Sequence, residues 1–206
     1  MDNKHNDRRI FDLAMHTWLR YALVFFKWLL WAAVIGAALG LIGTAFHYSV
    51  DLAQELRLAY PWLLYLLPIG GLIIVFMYRA CGVKDDRGAN AVLEATINGE
   101  PVKKRVAPLI FIGTVLTHLF GGSAGREGAA LQLGGSIAGL FGGVFRIKPG
   151  DGRVLTICGM SAAFSALFGT PITAAVFAVS VASAGAVQYA ALFPSVLSAF
   201  AGFLVS

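Results

Sequence analysis

The sequence has little charge for its length. Its 206 residues include 16 Lys and Arg and 11 Asp and Glu, so charged residues make up 13% of the chain. A soluble domain usually has about a quarter charged residues, whereas this chain is 58% hydrophobic with a mean hydropathy of +0.74. The composition excludes a disordered chain, a coiled coil and an ordinary soluble domain. It predicts an all-α polytopic membrane protein.

Cysteine is scarce too. Cys81 adjoins a predicted cytoplasmic flank and Cys158 lies in an apolar run, so we expect no disulfide between them. The formal net charge of +5 does not indicate nucleic-acid binding, because the basic residues cluster at the flanks of apolar runs. The first apolar run is too long for a signal peptide, so we expect no cleaved leader. We also expect no cofactor and no metal site.

The charges divide the chain into apolar runs. Asp, Glu, Lys and Arg are absent from residues 28–50, 58–78, 106–125, 128–145 and 154–206. Each of the first four runs is about one bilayer crossing long. The last run is longer, and its breaks are predicted at Gly169-Thr170-Pro171 and at residues 185–188.

Basic clusters set the predicted orientation. They lie within residues 2–27, 84–105 and 146–153, and the positive-inside rule puts such clusters on the cytoplasmic side. We therefore expect residues 1–19 to form a cytoplasmic N-terminal arm and residues 20–206 to form a membrane domain.

Several helices can be predicted from this pattern. Residues 21–56 indicate one long helix, in which Gly36 and Gly40 form a GxxxG motif that lets another helix approach closely. Pro61 is expected to start the returning helix. Gly88 is the predicted entry of a short helix, and three further segments are expected from Val154 to the C-terminus.

The most informative segment is Gly121-Gly122-Ser123-Ala124-Gly125-Arg126-Glu127-Gly128, which has four glycines between two apolar runs. Glycine-rich backbone at membrane depth is tolerated where it is buried in protein or lines a polar cavity. A helix that starts near Glu127 would direct free N–H groups and the positive end of its dipole at that cavity, which is an anion site. A glutamate there is a candidate proton carrier.

Purely structural interpretations stay open for Glu127, for the segment from Gly88 to Val92 and for Gln132. Glu127 could be an interfacial residue that pairs with Arg126 at an ordinary turn. The segment from Gly88 to Val92 could face the same cavity or be a plain cytoplasmic loop. Gln132 could line a pore or form a hydrogen bond across helices.

An enzyme-class alternative comes from Gly121-Gly122-Ser123-Ala124-Gly125, which matches the G-x-S-x-G nucleophile elbow and has His118 nearby. An intramembrane serine hydrolase would need a strand-to-helix turn at Ser123. Residues 106–120 instead have the pattern of a helix, which disfavours a hydrolase.

The run Gly125-Arg126-Glu127-Gly128, followed by Gln132-Leu133-Gly134-Gly135, resembles the CLC family of chloride channels and anion/proton antiporters. The resemblance extends from about Tyr21 to the C-terminus. It implies tilted, partly spanning helices in two inverted halves, of which this chain corresponds to the first. It also implies that Glu127 is the gating, proton-coupled glutamate. The anion-binding positions it implies are Gly88, Ala89, Asn90, Ala91, Val92, Gly125, Arg126, Gly128 and Ala129.

Departures from the chloride-type pattern refine this expectation. The first anion-binding motif has Ala89 in place of serine and Val92 in place of proline, and Ala129 replaces the proline that usually follows Glu-Gly. These departures resemble the fluoride-exporting branch, although Ala89 replaces the asparagine usual there. The cytoplasmic proton glutamate of the chloride antiporters has no counterpart at Ser180 or Val181.

The resemblance implies fluoride/proton antiport in a bacterial-type cytoplasmic membrane, with fluoride or chloride ions, protons and the lipid bilayer as partners. Chloride transport, as a channel or as a chloride/proton antiporter, is the alternative within the class. Because the resemblance covers one half, we expect a homodimer or a complementing second half. An inactive half-length membrane fragment is the alternative outside the class.

Overall fold

The computed structural model describes residues 3–83, 87–98, 100, 102–182 and 188–206. In these ranges every regular element is helical. The helices are α1 (Asn3–Ala59), a 3₁₀ segment (Pro61–Leu66), α2 (Leu67–Ala80), α3 (Ala89–Asn98), α4 (Val106–Leu119), α5 (Arg126–Val144), α6 (Pro149–Phe168), α7 (Pro171–Val181) and α8 (Tyr189–Val205). Among the described residues, two helical stretches are long and apolar enough to cross a membrane, Ala22–Ala59 and Pro61–Ala80.

Most of the predicted helix boundaries are confirmed. The returning helix begins at Pro61 with a 3₁₀ turn and ends at Ala80. A break falls at Gly169, which has a φ of +67° and ends α6, and Pro171 then starts α7. A proline is well suited to a first helical position because its N–H would have no intrahelical partner there. Of the second predicted break, residues 185–187 lie outside the described residues, and Gln188 precedes α8.

Two helices start earlier than the charge pattern predicted. The first helix begins at Asn3, not near Tyr21, since residues 3–35 contain no glycine or proline that would stop it. The predicted boundary at residue 19 thus falls inside α1. Helix α6 begins at Pro149, not at Val154, and its first turn holds Asp151. An acidic side chain is favourable at that end of the helix dipole.

Glycines allow the helices to approach closely at the core. A Cβ atom on Gly36 would lie 2.5 Å from the Ser198 carbonyl oxygen, and one on Gly40 would lie 2.7 Å from that of Gly202. A helix therefore approaches the GxxxG motif of α1 closely, as predicted, and the structure identifies it as α8. Gly134 of α5 meets the backbone of Gly159 of α6 in the same way. Helix α6 is central, because α1, α5, α7 and α8 all pack against it.

Candidate functional site

Helix α5 begins inside the glycine-rich segment, as the sequence predicted. Gly125 is its N-cap residue, with φ −68° and ψ 126°, and Arg126 is the first helical residue. Within the described part of the chain, no side chain caps the N–H groups of this first turn. The end of α5 therefore keeps free backbone donors and the positive end of the helix dipole, which together suit an anion.

A second helix begins at the same place. The Ala89 Cβ atom, at the start of α3, lies 3.7 Å from where a Cβ on Gly128 would be. Gly88, which precedes α3, has a φ of +63°, a conformation that favours glycine. The structure thus brings together the two segments that the sequence singled out separately.

The predicted site residues around the junction, the place where the starts of α3 and α5 meet, differ in exposure. Gly125, Glu127 and Asn90 are exposed, whereas Val92 and Ala129 are buried. Gly88, Ala89, Ala91, Arg126 and Gly128 are partly buried. The exposed surface of the junction consequently presents the Glu127 carboxyl group beside backbone that lacks bulky side chains.

Gln132 of α5 lies next to Gly88, at the start of α3. It is 4% exposed, and its Nε2 atom lies 3.2 Å from where a Cβ on Gly88 would be. Any larger residue at position 88 would press on this amide and strain the backbone. Its Oε1 atom is buried without a hydrogen-bond partner among the described residues, so the hydrogen bond across helices that the sequence left open is not formed by this atom.

Arg126 does not pair with Glu127 in the described part of the chain. Its Nη2 atom donates to Asp51 Oδ1 of α1 at 2.9 Å, and its Nη1 atom lies 3.4 Å from His47 Nδ1. His47 Nε2 lies 3.2 Å from Asp51 Oδ2. Sequence reasoning missed this cluster. The available signal was the His47 and Asp51 pair, four residues apart on α1, which puts both on one helix face.

The geometry required by the hydrolase alternative is absent from this segment. Residues before Ser123 form helix α4, not a strand, and the His118 Nδ1 atom lies 2.9 Å from the Thr114 carbonyl oxygen of its own helix. A nucleophile elbow needs the strand-to-helix turn, so Ser123 is not presented as a nucleophile.

Comparisons with known proteins agree with this architecture. The family model of the voltage gated chloride channel matches residues 70–206. A chloride/fluoride channel protein of Pseudomonas syringae pv. tomato is 38% identical over 174 residues, which cover 84% of this chain and 38% of that protein. An H(+)/Cl(-) exchange transporter, ClcA of Citrobacter koseri, is 30% identical over 164 residues, covering 72% of this chain and 35% of that protein.

Solved structures have the same fold over about half their length. A CLC-type fluoride/proton antiporter superimposes with a TM-score of 0.81 and 35% identity, covering 88% of this chain and 46% of that one. A slow cyanobacterial Cl-/H+ antiporter superimposes with a TM-score of 0.66 and 21% identity, covering 87% of this chain and 46% of that one. The chain therefore spans less than half the length of the relatives it matches.

Proposed function

The chain belongs to the voltage gated chloride channel family, and from that premise we propose that it forms part of a fluoride/proton antiporter. The observation that carries the proposal is the meeting of the α3 and α5 N-termini at Glu127. The starts of α3 and α5 lie side by side there, and an anion is the ligand that the free N–H groups and positive dipole end of a helix start favour.

Glu127 supplies the proposed coupling between anion and proton. An ionised carboxylate beside the two helix ends competes with a bound anion for the same donors. Protonation removes that competition, because the neutral side chain no longer carries the charge that the dipoles attract. Alternate occupation of the site by the carboxylate and by an anion is the exchange step that we propose.

The residues around the junction support fluoride as the ion. Ala89, Val92 and Ala129 replace the serine and prolines of the chloride-type motifs. The 38% identical relative is named a chloride/fluoride channel protein, and the structure at 35% identity is a fluoride/proton antiporter. Chloride is the second candidate, which the 30% identical H(+)/Cl(-) exchange transporter supports.

We propose that the site works only when a second half completes it. Glu127 and Gly125 are exposed on this chain, whereas a fluoride path must be shielded from lipid and surrounded by donors. A complementing second half, or a homodimer in which another copy contributes, would provide that shield. An inactive half-length fragment is the outcome if neither forms.

The proposed orientation follows from the basic clusters. Residues 1–19, 84–105 and 146–153 would face the cytoplasm, and the glycine-rich segment with Asp51 would lie at the outer side of the cytoplasmic membrane. The membrane domain, residues 20–206, would then correspond to the first half of the family's core.

The test is a comparison of fluoride and chloride efflux from liposomes that contain the complete assembly. Fluoride efflux should exceed chloride efflux at least ~10-fold, which needs a barrier difference of only about 1.4 kcal/mol. Equal rates would refute the fluoride assignment and support chloride. Failure to move either anion would refute transport by that assembly.

A further inference from the structure

His47, Asp51 and Arg126 form a closed set of polar contacts between α1 and α5. Asp51 uses both carboxylate oxygens, Oδ1 toward Arg126 Nη2 at 2.9 Å and Oδ2 toward His47 Nε2 at 3.2 Å. Arg126 Nη1 completes the set at 3.4 Å from His47 Nδ1. Each of the three side chains therefore contacts the other two.

This geometry selects one form of the histidine ring. An arginine has N–H donors and no acceptor, so Nδ1 of His47 must be the unprotonated nitrogen in order to accept from it. The proton then lies on Nε2, where it is donated to the Asp51 carboxylate. The neutral Nε2–H tautomer satisfies all three contacts, while the doubly protonated ring would direct its Nδ1–H at the N–H of Arg126.

The cluster attaches the first turn of α5 to α1. Arg126 is the first residue of α5, and Glu127 follows it directly. Beside them, a Cβ on Gly125 would meet nothing within 4 Å, and one on Gly128 would meet Ala89 alone. Ala129, at the end of this turn, is buried in the core, and at the exposed beginning of the turn the Arg126 side chain makes polar contacts with α1.

We propose that His47 and Asp51 are positioning residues, which hold Arg126 and through it the first turn of α5 that bears Glu127. The proposal rests on the function proposed above, because the importance of that turn depends on the anion site. It extends that function by naming the contacts that hold the helix turn on which Glu127 lies.

The charged groups around His47 are few. Asp51 faces it from its own helix and Arg126 from α5, and Glu55 lies one turn farther along α1. His118 of α4 contacts its own helix. The charged residues of α6, Asp151 and Arg153, contact Lys27 and the Ala182 carbonyl oxygen, and α8 contains no Asp, Glu, Lys, Arg or His. In the described part of the chain, Asp51 is therefore the carboxylate that pairs with His47.

The first experiment measures fluoride turnover by the complete assembly for wild type, His47→Ala and His47→Gln. His47→Ala removes both the acceptor of Arg126 Nη1 and the partner of Asp51 Oδ2, so turnover should fall at least ~2-fold. His47→Gln should restore it, because an amide still offers one acceptor and one donor group. The matched control His118→Ala, whose ring contacts its own helix, should keep wild-type turnover. Wild-type turnover in His47→Ala would overturn the proposal.

Asp51→Asn tests the contact between Asp51 and Arg126. It should slow fluoride turnover roughly 5-fold at pH 8 while the fluoride-to-proton stoichiometry stays unchanged, since Glu127 is intact. Glu55→Gln, a carboxylate on the same helix that has no ion pair within the described residues, should leave turnover unchanged. Wild-type turnover in Asp51→Asn would contradict the positioning role.

A structural measurement keeps the proposal testable if the variants fail to fold or if no transport occurs. In the ¹⁵N NMR spectrum of the histidine-labelled protein at pH 8, the His47 signals should show a proton on Nε2 and none on Nδ1. Arg126→Gln should shift the His47 Nδ1 resonance and leave that of His118 in place. A proton on Nδ1 at pH 8 would overturn the cluster, whatever the transport assays give.

Discussion

Placing a capping side chain at Gly125 should stabilise the protein and weaken its anion site at the same time. Gly125 is the N-cap residue of α5 and has a φ of −68°, which any residue adopts, and a Cβ there would meet nothing within 4 Å. Fold alone therefore does not require glycine at this position. A serine fits without strain, and its hydroxyl accepts a hydrogen bond from the N–H groups of the first turn.

Those same N–H groups are the proposed anion ligands, so the serine hydroxyl and the ion compete. A serine cap is worth about 1 kcal/mol relative to alanine and a few tenths relative to glycine. Gly125→Ser should accordingly be slightly more stable than wild type, and Gly125→Ala should be less stable by about 0.5–1 kcal/mol. An ion that must displace a hydrogen bond of about 1 kcal/mol binds roughly 5-fold more weakly.

The assay pairs thermal unfolding in detergent with the concentration dependence of fluoride efflux from liposomes. The expected orders are opposite: Gly125→Ser unfolds at a higher temperature than Gly125→Ala, yet needs roughly 5-fold more fluoride for half-maximal efflux. If the serine variant needs no more fluoride than the alanine variant, the N–H groups of α5 are not anion ligands.

Two further predictions concern nearby residues. Gly88→Ala should destabilise the fold by about 1–2 kcal/mol, because alanine is strained at a φ of +63° and its Cβ would lie 3.2 Å from Gln132 Nε2. The matched control is Gly71→Ala on α2, where a Cβ meets nothing within 4 Å. Helix propensity there favours alanine by up to ~1 kcal/mol. Equal unfolding temperatures for the Gly88→Ala and Gly71→Ala variants would contradict the strain argument. A fluorophosphonate probe should not label Ser123, since a helix and not a strand precedes it, and labelling that Ser123→Ala abolishes would revive the hydrolase interpretation.

Much of the fold could be predicted because helix ends in this chain have local causes. Pro61, Gly169 and Pro171 interrupt helices through fixed or unusual backbone angles, and these effects do not depend on the rest of the fold. The start of α5 was predicted near Glu127 from the glycine-rich segment before it, and the helix begins at Arg126. The early starts of α1 and α6 were missed because the charge pattern marks membrane depth and does not mark where a helix begins.

The site could be predicted only in part, since its contacts join distant segments. The glycines and Glu127 identified the α5 end, and Gly88 identified a candidate second end. Two of the site's contacts depend on how α3 packs on α5: Ala89 lies against Gly128, and Gln132 lies against Gly88. The Asp51 contact to Arg126 spans 75 residues, and no local pattern specifies such a pairing.

Resemblance to the CLC family was itself predictable from the sequence and is confirmed by the family match over residues 70–206. The roles assigned to Glu127 and to the residues at the two helix ends stay predictions. These roles depend on where an anion binds, and that position is inferred from the free N–H groups and dipoles of the two helix ends.

Proton movement driven by a fluoride gradient tests the central claim most directly. The complete assembly, reconstituted in liposomes, is given an outward fluoride gradient, and proton uptake is recorded for wild type and for Glu127→Gln. The glutamine keeps the size of the side chain but cannot exchange a proton. We predict that wild type takes up protons in proportion to the fluoride that leaves, and that Glu127→Gln takes up none. An unchanged proton-to-fluoride ratio in Glu127→Gln would contradict the proposal that this carboxyl group couples the two ions.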